Sequence, residues 1–149
     1  IRDTIPEVAL STDIIVGFPS ETDSQFQETV QLLSELRFDT VHVAVYSPRP
    51  GTTASRELED DIPPAVKKER LNTIEQLQGK IAAKINEHLL GETVEILVES
   101  RVKGKWQGRT RTGKLVFFSD NREYTGKLVK IHIEKTSPWS LQGTVNTAK

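Results

Sequence analysis

The sequence predicts an α/β unit followed by a small antiparallel β-barrel of the OB-like kind. Strand-like and helix-like segments alternate over residues 13–46, as they do where a helix connects two parallel strands. After Gly91 the apolar period changes to two, and five short strand candidates follow within about 55 residues. The charge divides at the same place, with a net charge of −6 over residues 1–89 and +5 over residues 90–149. We therefore place one domain at residues 1–90 and a second at residues 91–149.

The first unit begins with a strand over residues 13–18. This apolar run lacks period-two alternation, which indicates a strand buried on both faces of a parallel sheet. A helix follows, in which Thr22 is the N-cap and Gln25 completes a capping box. Residues 41–46 form a second β-rich run. The order strand, helix, strand predicts that the two strands are parallel neighbours.

A loop and a long helix complete the first unit. Residues 47–52 read Ser-Pro-Arg-Pro-Gly-Thr, in which the two prolines stiffen the backbone. The helix is predicted over residues 63–90, because Pro63 and Pro64 suit a first helical turn and Gly91 suits a C-terminal stop. Its apolar stripe consists of Ile74, Leu77, Ile81, Ile85 and Leu89.

The second unit consists of short strands separated by turn residues. The strand candidates lie at residues 93–99, 106–111, 115–118, 128–133 and 141–145. Glycine, asparagine and proline mark the turns between them. Five short strands in so few residues favour a small closed barrel over an open sheet.

Composition excludes several classes of site. The chain has no cysteine, so disulfides, zinc thiolate centres and cysteine-ligated iron–sulfur clusters are excluded within this stretch. Its three histidines, His42, His88 and His132, are far apart in sequence. No apolar run has the length of a membrane span and no signal peptide is recognisable, so we expect a cytoplasmic protein. Because the chain starts at Ile1 and has no methionine, we expect it to be part of something longer.

The first candidate site lies where the two predicted parallel strands end. Ligands of parallel α/β folds bind at the carboxyl ends of strands. Gly17 and Phe18 end the first strand, Tyr46 and Ser47 end the second, and Arg49 follows in the loop. A glycine lets a ligand approach the backbone closely. The pattern predicts a ligand site, with ordinary loop packing as the alternative, and the nearby Asp60-Asp61 pair is expected to be structural.

The second candidate site lies in the basic half. Arg109 and Arg111 share one strand face, because residues i and i+2 point the same way, and Lys114 follows at a turn. Phe117 and Phe118 are close in sequence. Cations together with aromatic rings on a small barrel suit phosphate contacts and base stacking. The alternative is a solvated strand face above core phenylalanines.

These segments, taken in order, resemble the carboxy-terminal part of the radical S-adenosylmethionine methylthiotransferases. The matching segments are residues 11–22 (STDIIVGFPSET), 38–39 (FD), 46–52 (YSPRPGT) and 67–71 (KKERL). The last 60 residues, with GRTR at 108–111, resemble the TRAM domain of that family, an RNA-binding barrel. The SPRPGT loop is most similar to the MiaB-type tRNA enzymes. The family usually has glycine where Ser20 stands.

The resemblance implies more than the residues show by themselves. It implies a partial TIM-type barrel ahead of the TRAM domain. It implies an enzyme that methylthiolates carbon 2 of N6-isopentenyladenosine beside the tRNA anticodon, with S-adenosylmethionine and two 4Fe–4S clusters as cofactors. The cluster-binding CxxxCxxC motif is missing and would precede Ile1, so we expect this chain by itself to be inactive. The expected partners are the anticodon stem-loop and the missing amino-terminal domains, with no membrane.

The residue patterns and the resemblance together assign roles to the candidate residues. The expected contacts to cofactor or substrate are Asp13, Ile15, Gly17, Phe18, Tyr46 and Ser47, and the expected RNA contacts are Arg49, Arg109, Arg111 and Lys114. We expect no catalytic or metal-binding residue within the stretch. Two alternatives remain open: an RNA-binding protein that stands alone, with the α/β unit as a scaffold, and the branch of the family that modifies a ribosomal protein.

Overall fold

The computed structural model describes residues 1–146, and the chain divides into two compact units. We call Leu10–Ile81 the α/β unit, and we call Ile1–Ala9 together with the chain from Ala82 onward the barrel unit. In chain order the elements are β1 (Ser11–Val16), α1 (Asp23–Leu36), β2 (Thr40–Val45), α2 (Thr53–Glu57), α3 (Pro64–Glu87), β3 (Thr93–Val102), β4 (Lys105–Thr110), β5 (Leu115–Phe118), β6 (Leu128–Thr136) and β7 (Leu141–Val145).

The α/β unit contains a parallel strand pair, as the sequence predicted. β1 and β2 pair in parallel, with Ile14 opposite Val43. The predicted N-terminus of α1 is also confirmed: the Thr22 hydroxyl accepts the backbone N–H of Gln25, and the Gln25 side chain accepts the N–H of Thr22. β1 lies two residues earlier than predicted, because Gly17 has φ +68° and leaves the extended conformation.

The prediction that this strand is buried on both faces is wrong. Ile14 and Val16 point toward the core, whereas Asp13 and Ile15 are exposed. Both long helices supply the side chains that cover the Ile14–Val16 face, and no described residue covers the opposite face. The buried cluster consists of Val16, Phe26, Leu33 and Ile74, with Ile14, Val30, Phe38, Val41, Val43, Leu71 and Leu77 packed against it.

The helices that follow β2 differ slightly from the prediction. α2 was not predicted, because a helix of five residues has no apolar stripe to reveal it. The Thr52 hydroxyl caps its first turn by accepting the N–H of Ser55. α3 begins at Pro64 and ends at Glu87, three residues earlier than expected, and a turn then leads to Gly91 with φ +83°.

The barrel unit is a closed five-stranded barrel with the strand order β3-β4-β5-β7-β6, and every predicted strand is present. The expectation of a wholly antiparallel barrel is wrong at one pair, since β5 and β7 run parallel. Strand directions cannot alternate all the way round a ring with an odd number of strands, so closure requires one parallel pair. The core consists of Ile96, Val98, Trp106, Val116, Phe118, Tyr124, Ile131, Ile133 and Leu141.

The connection between β5 and β6 is fastened to this core by one aspartate. The Trp106 indole N–H donates to the Asp120 carbonyl oxygen at 3.1 Å, and the Tyr124 hydroxyl donates to the Asp120 carboxylate at 3.1 Å. The Arg122 guanidinium also donates to this carboxylate and holds the pKa of Asp120 well below its usual range. The polar groups of both core aromatic rings are therefore hydrogen-bonded.

Candidate functional site

The ends of β1 and β2 meet at one edge of the α/β unit. The Tyr46 N–H donates to the carbonyl oxygen of Val16 at 2.9 Å, which extends the strand pairing by one residue. The Phe18 and Tyr46 rings pack edge to face with their centroids 5.0 Å apart. Phe18 keeps 42% of its surface exposed. The structure therefore brings together the two aromatic residues that the sequence assigned to this edge.

A lysine of α3 occupies the space beside Gly17. A Cβ atom built on Gly17 would lie 2.4 Å from Cγ of Lys67. Lys67 is itself buried: its Nζ forms an ion pair with Asp60, donates to the Tyr46 carbonyl oxygen at 3.4 Å, and lies 5.3 Å from the centroid of the Tyr46 ring. The sequence predicted that a ligand approaches the backbone at Gly17. In the structure the Lys67 side chain makes this close approach.

An arginine one helical turn further along α3 fastens the loop after β1. The buried Arg70 guanidinium donates to the Glu21 carboxylate at 2.6 Å, to the Glu21 carbonyl oxygen at 3.1 Å and to Asp23 at 2.6 Å. Glu21 in turn accepts the N–H of Gly17 at 2.7 Å. The ion pairs raise the pKa of Arg70 despite its burial, so the guanidinium stays charged. The loop that leads into α1 is thus held by charge-assisted hydrogen bonds.

The second carboxylate of the Asp60-Asp61 pair fixes the tightest point of this loop. Asp61 accepts the N–H of Ser20 at 2.7 Å and its hydroxyl at 3.3 Å. Ser20 has φ +66°, a left-handed conformation that costs a residue with a Cβ atom more than it costs glycine. The glycine that is usual in the resembling family would adopt this conformation without strain.

Two substitutions in this loop should change the stability of the α/β unit in opposite directions. Gly17→Ala should lower its free energy of unfolding by about 2 kcal/mol, because the new Cβ is strained at positive φ and displaces the Lys67 stem. Ser20→Gly should raise it by about 0.5 kcal/mol, after allowance for the larger backbone entropy of glycine in the unfolded chain. Urea titrations followed by far-UV circular dichroism measure both changes.

The barrel unit supplies an internal control for these titrations. Both tryptophans, Trp106 and Trp139, lie in the barrel unit. Their fluorescence transition should therefore be the same in the parent chain and in both variants. Equal circular dichroism midpoints for Gly17→Ala and the parent would contradict the assigned role of the Lys67 stem.

The uncovered face of the strand pair carries the two predicted site residues that lie within β1, Asp13 and Ile15. Asp13 pairs with His42 and Ile15 pairs with Ala44, so these four side chains share the exposed face. Ile15 is 56% exposed, which is high for an isoleucine inside a strand. The structure thus places Asp13 and Ile15 on one open surface.

The loop after β2 is exposed at both residues that the sequence assigned to it. Ser47 and Arg49 are both exposed. The Arg49 carbonyl oxygen accepts the backbone N–H of Thr52 at 3.2 Å and the Thr52 hydroxyl at 2.9 Å. These two hydrogen bonds fix the backbone at Arg49 and leave its side chain at the surface.

Sequence reasoning missed the two buried cations of α3. Lys67 and Arg70 lie on the same helical stripe as Ile74 and Ile81, since the four residues follow one another at spacings of three, four and seven. Charged residues are almost never fully buried without a partner, so two cations on an apolar stripe indicate buried acidic partners. This signal was present in the sequence, but it does not say which carboxylates those partners are.

The predicted arginines of the barrel unit lie close to acidic residues of β3. Arg109 belongs to β4, and its Nε lies 3.4 Å from a carboxylate oxygen of Glu99. Arg111 lies one residue beyond the end of β4, and its Nη2 lies 3.1 Å from a carboxylate oxygen of Glu95. Arg111 is 86% and Arg109 53% exposed at the side chain, so both guanidinium groups remain open to a further partner.

A glycine lets β4 lie close to β3 next to these arginines. Gly108 is buried opposite Val98, and a Cβ atom on it would lie 2.4 Å from the carbonyl oxygen of Leu97. The pairing of β3 with β4 shifts register between Val98 and Ser100. This close approach places Arg109 directly opposite Leu97 on the outer face of the barrel.

A shallow depression lies between the two ion pairs on this outer face. Its lining residues are Glu95, Leu97, Arg109, Thr110, Arg111 and Leu128. Leu97 and Leu128 are 48% and 62% exposed, respectively. Phe118 belongs to the core and is not available for base stacking, whereas Phe117 is half-buried. The exposed apolar surface beside the arginines is therefore aliphatic, which sequence reasoning did not anticipate.

Lys114 stands at the turn after the arginines, as expected. Its backbone N–H donates to the Thr110 hydroxyl and its carbonyl oxygen accepts the Thr110 N–H, both at 3.0 Å.

Within residues 1–146, no group of three or more histidine, aspartate or glutamate side chains could hold a metal ion. In that same range, every helix is too short or too polar to cross a bilayer.

A family model matches most of the barrel unit, and named proteins of several bacteria match almost the whole chain. Residues 87–145 match the family model of the TRAM domain. A tRNA-2-methylthio-N(6)-dimethylallyladenosine synthase of Chloroflexus aurantiacus is 52% identical over 96% of this chain. Proteins with the same name are 50% identical over 97% of the chain in Roseiflexus and 47% identical over 96% in Bacillus cytotoxicus.

The match extends over both units, but it covers only part of each relative. The chain spans 31% of the Chloroflexus and Roseiflexus proteins and 28% of the Bacillus protein. The TRAM match coincides with the five-stranded barrel, which fits an OB-like fold. The chain thus contains a TRAM domain and is similar, over nearly all its length, to the carboxy-terminal region of the tRNA-2-methylthio-N(6)-dimethylallyladenosine synthases.

Proposed function

We propose that this chain is the tRNA-binding, carboxy-terminal part of a cytoplasmic enzyme that methylthiolates carbon 2 of N6-isopentenyladenosine next to the anticodon. The observation that carries the proposal is the pair of open guanidinium groups, Arg109 and Arg111, on the outer face of a barrel that matches the TRAM domain. The similarity across both units to proteins named as tRNA-modifying synthases supports the same function.

The barrel unit can bind RNA through its phosphates. A guanidinium presents several N–H donors in a planar fork that matches phosphate oxygens. Glu95 approaches Arg111 through one nitrogen, whereas Arg109 directs Nε toward Glu99 and donates Nη1 to the Gly113 carbonyl oxygen at 3.0 Å. The exposed Nη2 edge of Arg109 and the remaining donors of Arg111 can reach a phosphate. Each phosphate bound in this way releases condensed counterions, which favours association at low salt.

The α/β unit offers a surface that suits part of S-adenosylmethionine. A carboxylate such as Asp13 can accept hydrogen bonds from ribose hydroxyls, and Ile15 on the same open face can pack against an adenine ring. Phe18, Tyr46 and Ser47 would border this surface at the strand ends, next to Gly17, beside which the Lys67 stem lies. When bound there, S-adenosylmethionine would supply the radical that the resemblance implies. In this proposal β1 and β2 are two strands of a partial TIM-type barrel.

The chain does not fit an iron–sulfur cluster. It has no cysteine, and residues 1–146 hold no group of alternative metal ligands. Cluster ligands would therefore come from outside this chain, whose own residues would bind S-adenosylmethionine and tRNA.

A segment exchange tests the proposed function. We would replace the matching segment of the Bacillus cytotoxicus relative with this chain, to which it is 47% identical. If the chain has the proposed function, the hybrid should restore the methylthio group on N6-isopentenyladenosine in tRNA from cells that lack their own enzyme. Mass spectrometry of digested tRNA nucleosides measures this product, and the unexchanged relative is the positive control. A folded, soluble hybrid that restores no methylthio group would contradict the proposal.

A further inference from the structure

The outer face of the barrel carries two adjacent exposed leucines. Leu97 on β3 and Leu128 on β6 are direct cross-strand partners, with 48% and 62% of their surfaces exposed. The other outward positions of these strands nearby are polar: Thr93, Glu95, Glu99, Lys130, His132 and Glu134. One exposed leucine needs no explanation, but two in contact range form an apolar patch that is costly in water. Together with the depression beside it, this pair is a candidate binding surface.

Polar groups surround this apolar floor on the β4 side. Arg109 lies opposite Leu97, and the Glu95–Arg111 ion pair lies one row further along the strands. Thr110 also lines the depression. The glutamates restrict the two guanidinium groups, so less side-chain entropy is lost when a ligand binds between them.

This combination fits the shape and chemistry of a nucleobase. A base has flat apolar faces and a polar edge, so it can cover leucine side chains and stack on a guanidinium while its edge meets hydroxyl and carboxylate groups. A paired duplex presents mainly phosphates to a protein, and these charged groups gain nothing from contact with leucine side chains. Unpaired RNA, by contrast, exposes its bases for contacts of this type.

We propose that the depression lined by Leu97, Leu128, Arg109, Thr110, Arg111 and Glu95 binds a single unpaired nucleobase. The proposal rests on the proposed function, because it requires that the barrel binds RNA. It adds that the barrel distinguishes an RNA loop from a paired stem. The arginines supply affinity for either form through phosphates, and the two leucines supply the preference for the unpaired form.

The test measures the affinities of two RNA probes for the full chain and for one double variant. The probes are a hairpin with a single-stranded loop and a blunt duplex that is fully paired and has the same phosphate count. In the variant Leu97→Thr and Leu128→Thr, a β-branched residue keeps the strand geometry and removes apolar surface. Hairpin affinity should fall about fivefold or more, whereas duplex affinity should change less than about twofold. The salt dependence of hairpin binding should keep its slope, since no phosphate contact is removed.

A matched control is Leu58→Thr in the α/β unit, where Leu58 is 44% exposed. It should leave both affinities unchanged, and circular dichroism should show that all variants are folded. Equal weakening of hairpin and duplex in the double variant would overturn the base subsite, since the leucines would then serve RNA binding in general. Unchanged affinity for both probes would also overturn it, since the leucines would then contribute nothing to RNA binding. If the parent chain binds neither probe, the RNA-binding function itself is refuted.

Discussion

Changing Arg109 and Arg111 together to alanine should weaken binding of an anticodon stem-loop RNA by about 1–3 kcal/mol. Both guanidinium groups lie on the outer face of the TRAM barrel, and their side chains are 53% and 86% exposed. Two phosphate contacts are removed, so the plot of log affinity against log salt should flatten by about two contacts. Filter binding at several salt concentrations measures the affinity and the slope in one experiment.

The glutamate partners of these arginines contribute to the expected loss of affinity in two ways. Glu99 and Glu95 already neutralise part of each guanidinium charge, and in the double variant both carboxylates remain beside the RNA without their partners. The loss therefore combines missing attraction with added repulsion between carboxylate and phosphate. Exposed ion pairs contribute little to folding, so the thermal stability of the barrel should barely change.

The control for this prediction removes the same amount of charge elsewhere. Arg56→Ala with Lys68→Ala takes two exposed cations from the α/β unit and lowers the net charge equally. This variant should keep the affinity and slope of the parent to within about half a contact. If the Arg109 and Arg111 variant instead bound as tightly as the control, this strand face would be merely solvated.

The barrel could be predicted from the sequence more fully than the α/β unit. Each of its strands has an inward residue every second position, such as Ile96 and Val98 in β3, and this alternation identifies strands directly. The direction of β7 could not be identified in this way, because it depends on how a ring of five strands closes. In the α/β unit, the capping box at Thr22 identified the start of a helix. The uninterrupted run of apolar residues in β1 predicted burial on both faces, but no described residue covers the second face.

The candidate site was predictable where it depends on strand ends and not where it depends on long-range pairs. Phe18 and Tyr46 were placed at one edge because parallel strands end together, and their rings are in contact. Sequence spacing could not reveal that Arg70 reaches Glu21, 49 positions away. Likewise, Arg109 and Arg111 were visible as a pair, but their glutamate partners depend on the register between β3 and β4.

The long-range ion pair between Arg70 and Glu21 leads to the largest expected change in stability. Arg70→Met should lower the free energy of unfolding of the α/β unit by about 2–3 kcal/mol, because breaking a buried ion pair leaves an uncompensated charge. The effect comes mainly from Glu21, whose side chain is 14% exposed; Asp23 is 94% exposed and contributes little after solvent screening. Methionine preserves much of the apolar packing against Phe26, so the measured loss reflects charge and hydrogen bonds.

Adding Glu21→Gln to Arg70→Met measures how much of the lost stability comes from the unpaired charge of Glu21. The double variant should recover about 1 kcal/mol relative to Arg70→Met, because a neutral amide is less costly to bury unpaired than a carboxylate. Lys68→Met, an exposed neighbour on the same helix, is the matched control and should change stability by less than about 0.5 kcal/mol. Urea unfolding followed by far-UV circular dichroism measures all four chains, with tryptophan fluorescence reporting the unaffected barrel unit. An Arg70→Met midpoint equal to that of Lys68→Met would mean that the Glu21 carboxylate is adequately solvated without the arginine. The loop after β1 would then be held by the Gly17 N–H and the Thr22 cap, not by the buried cation.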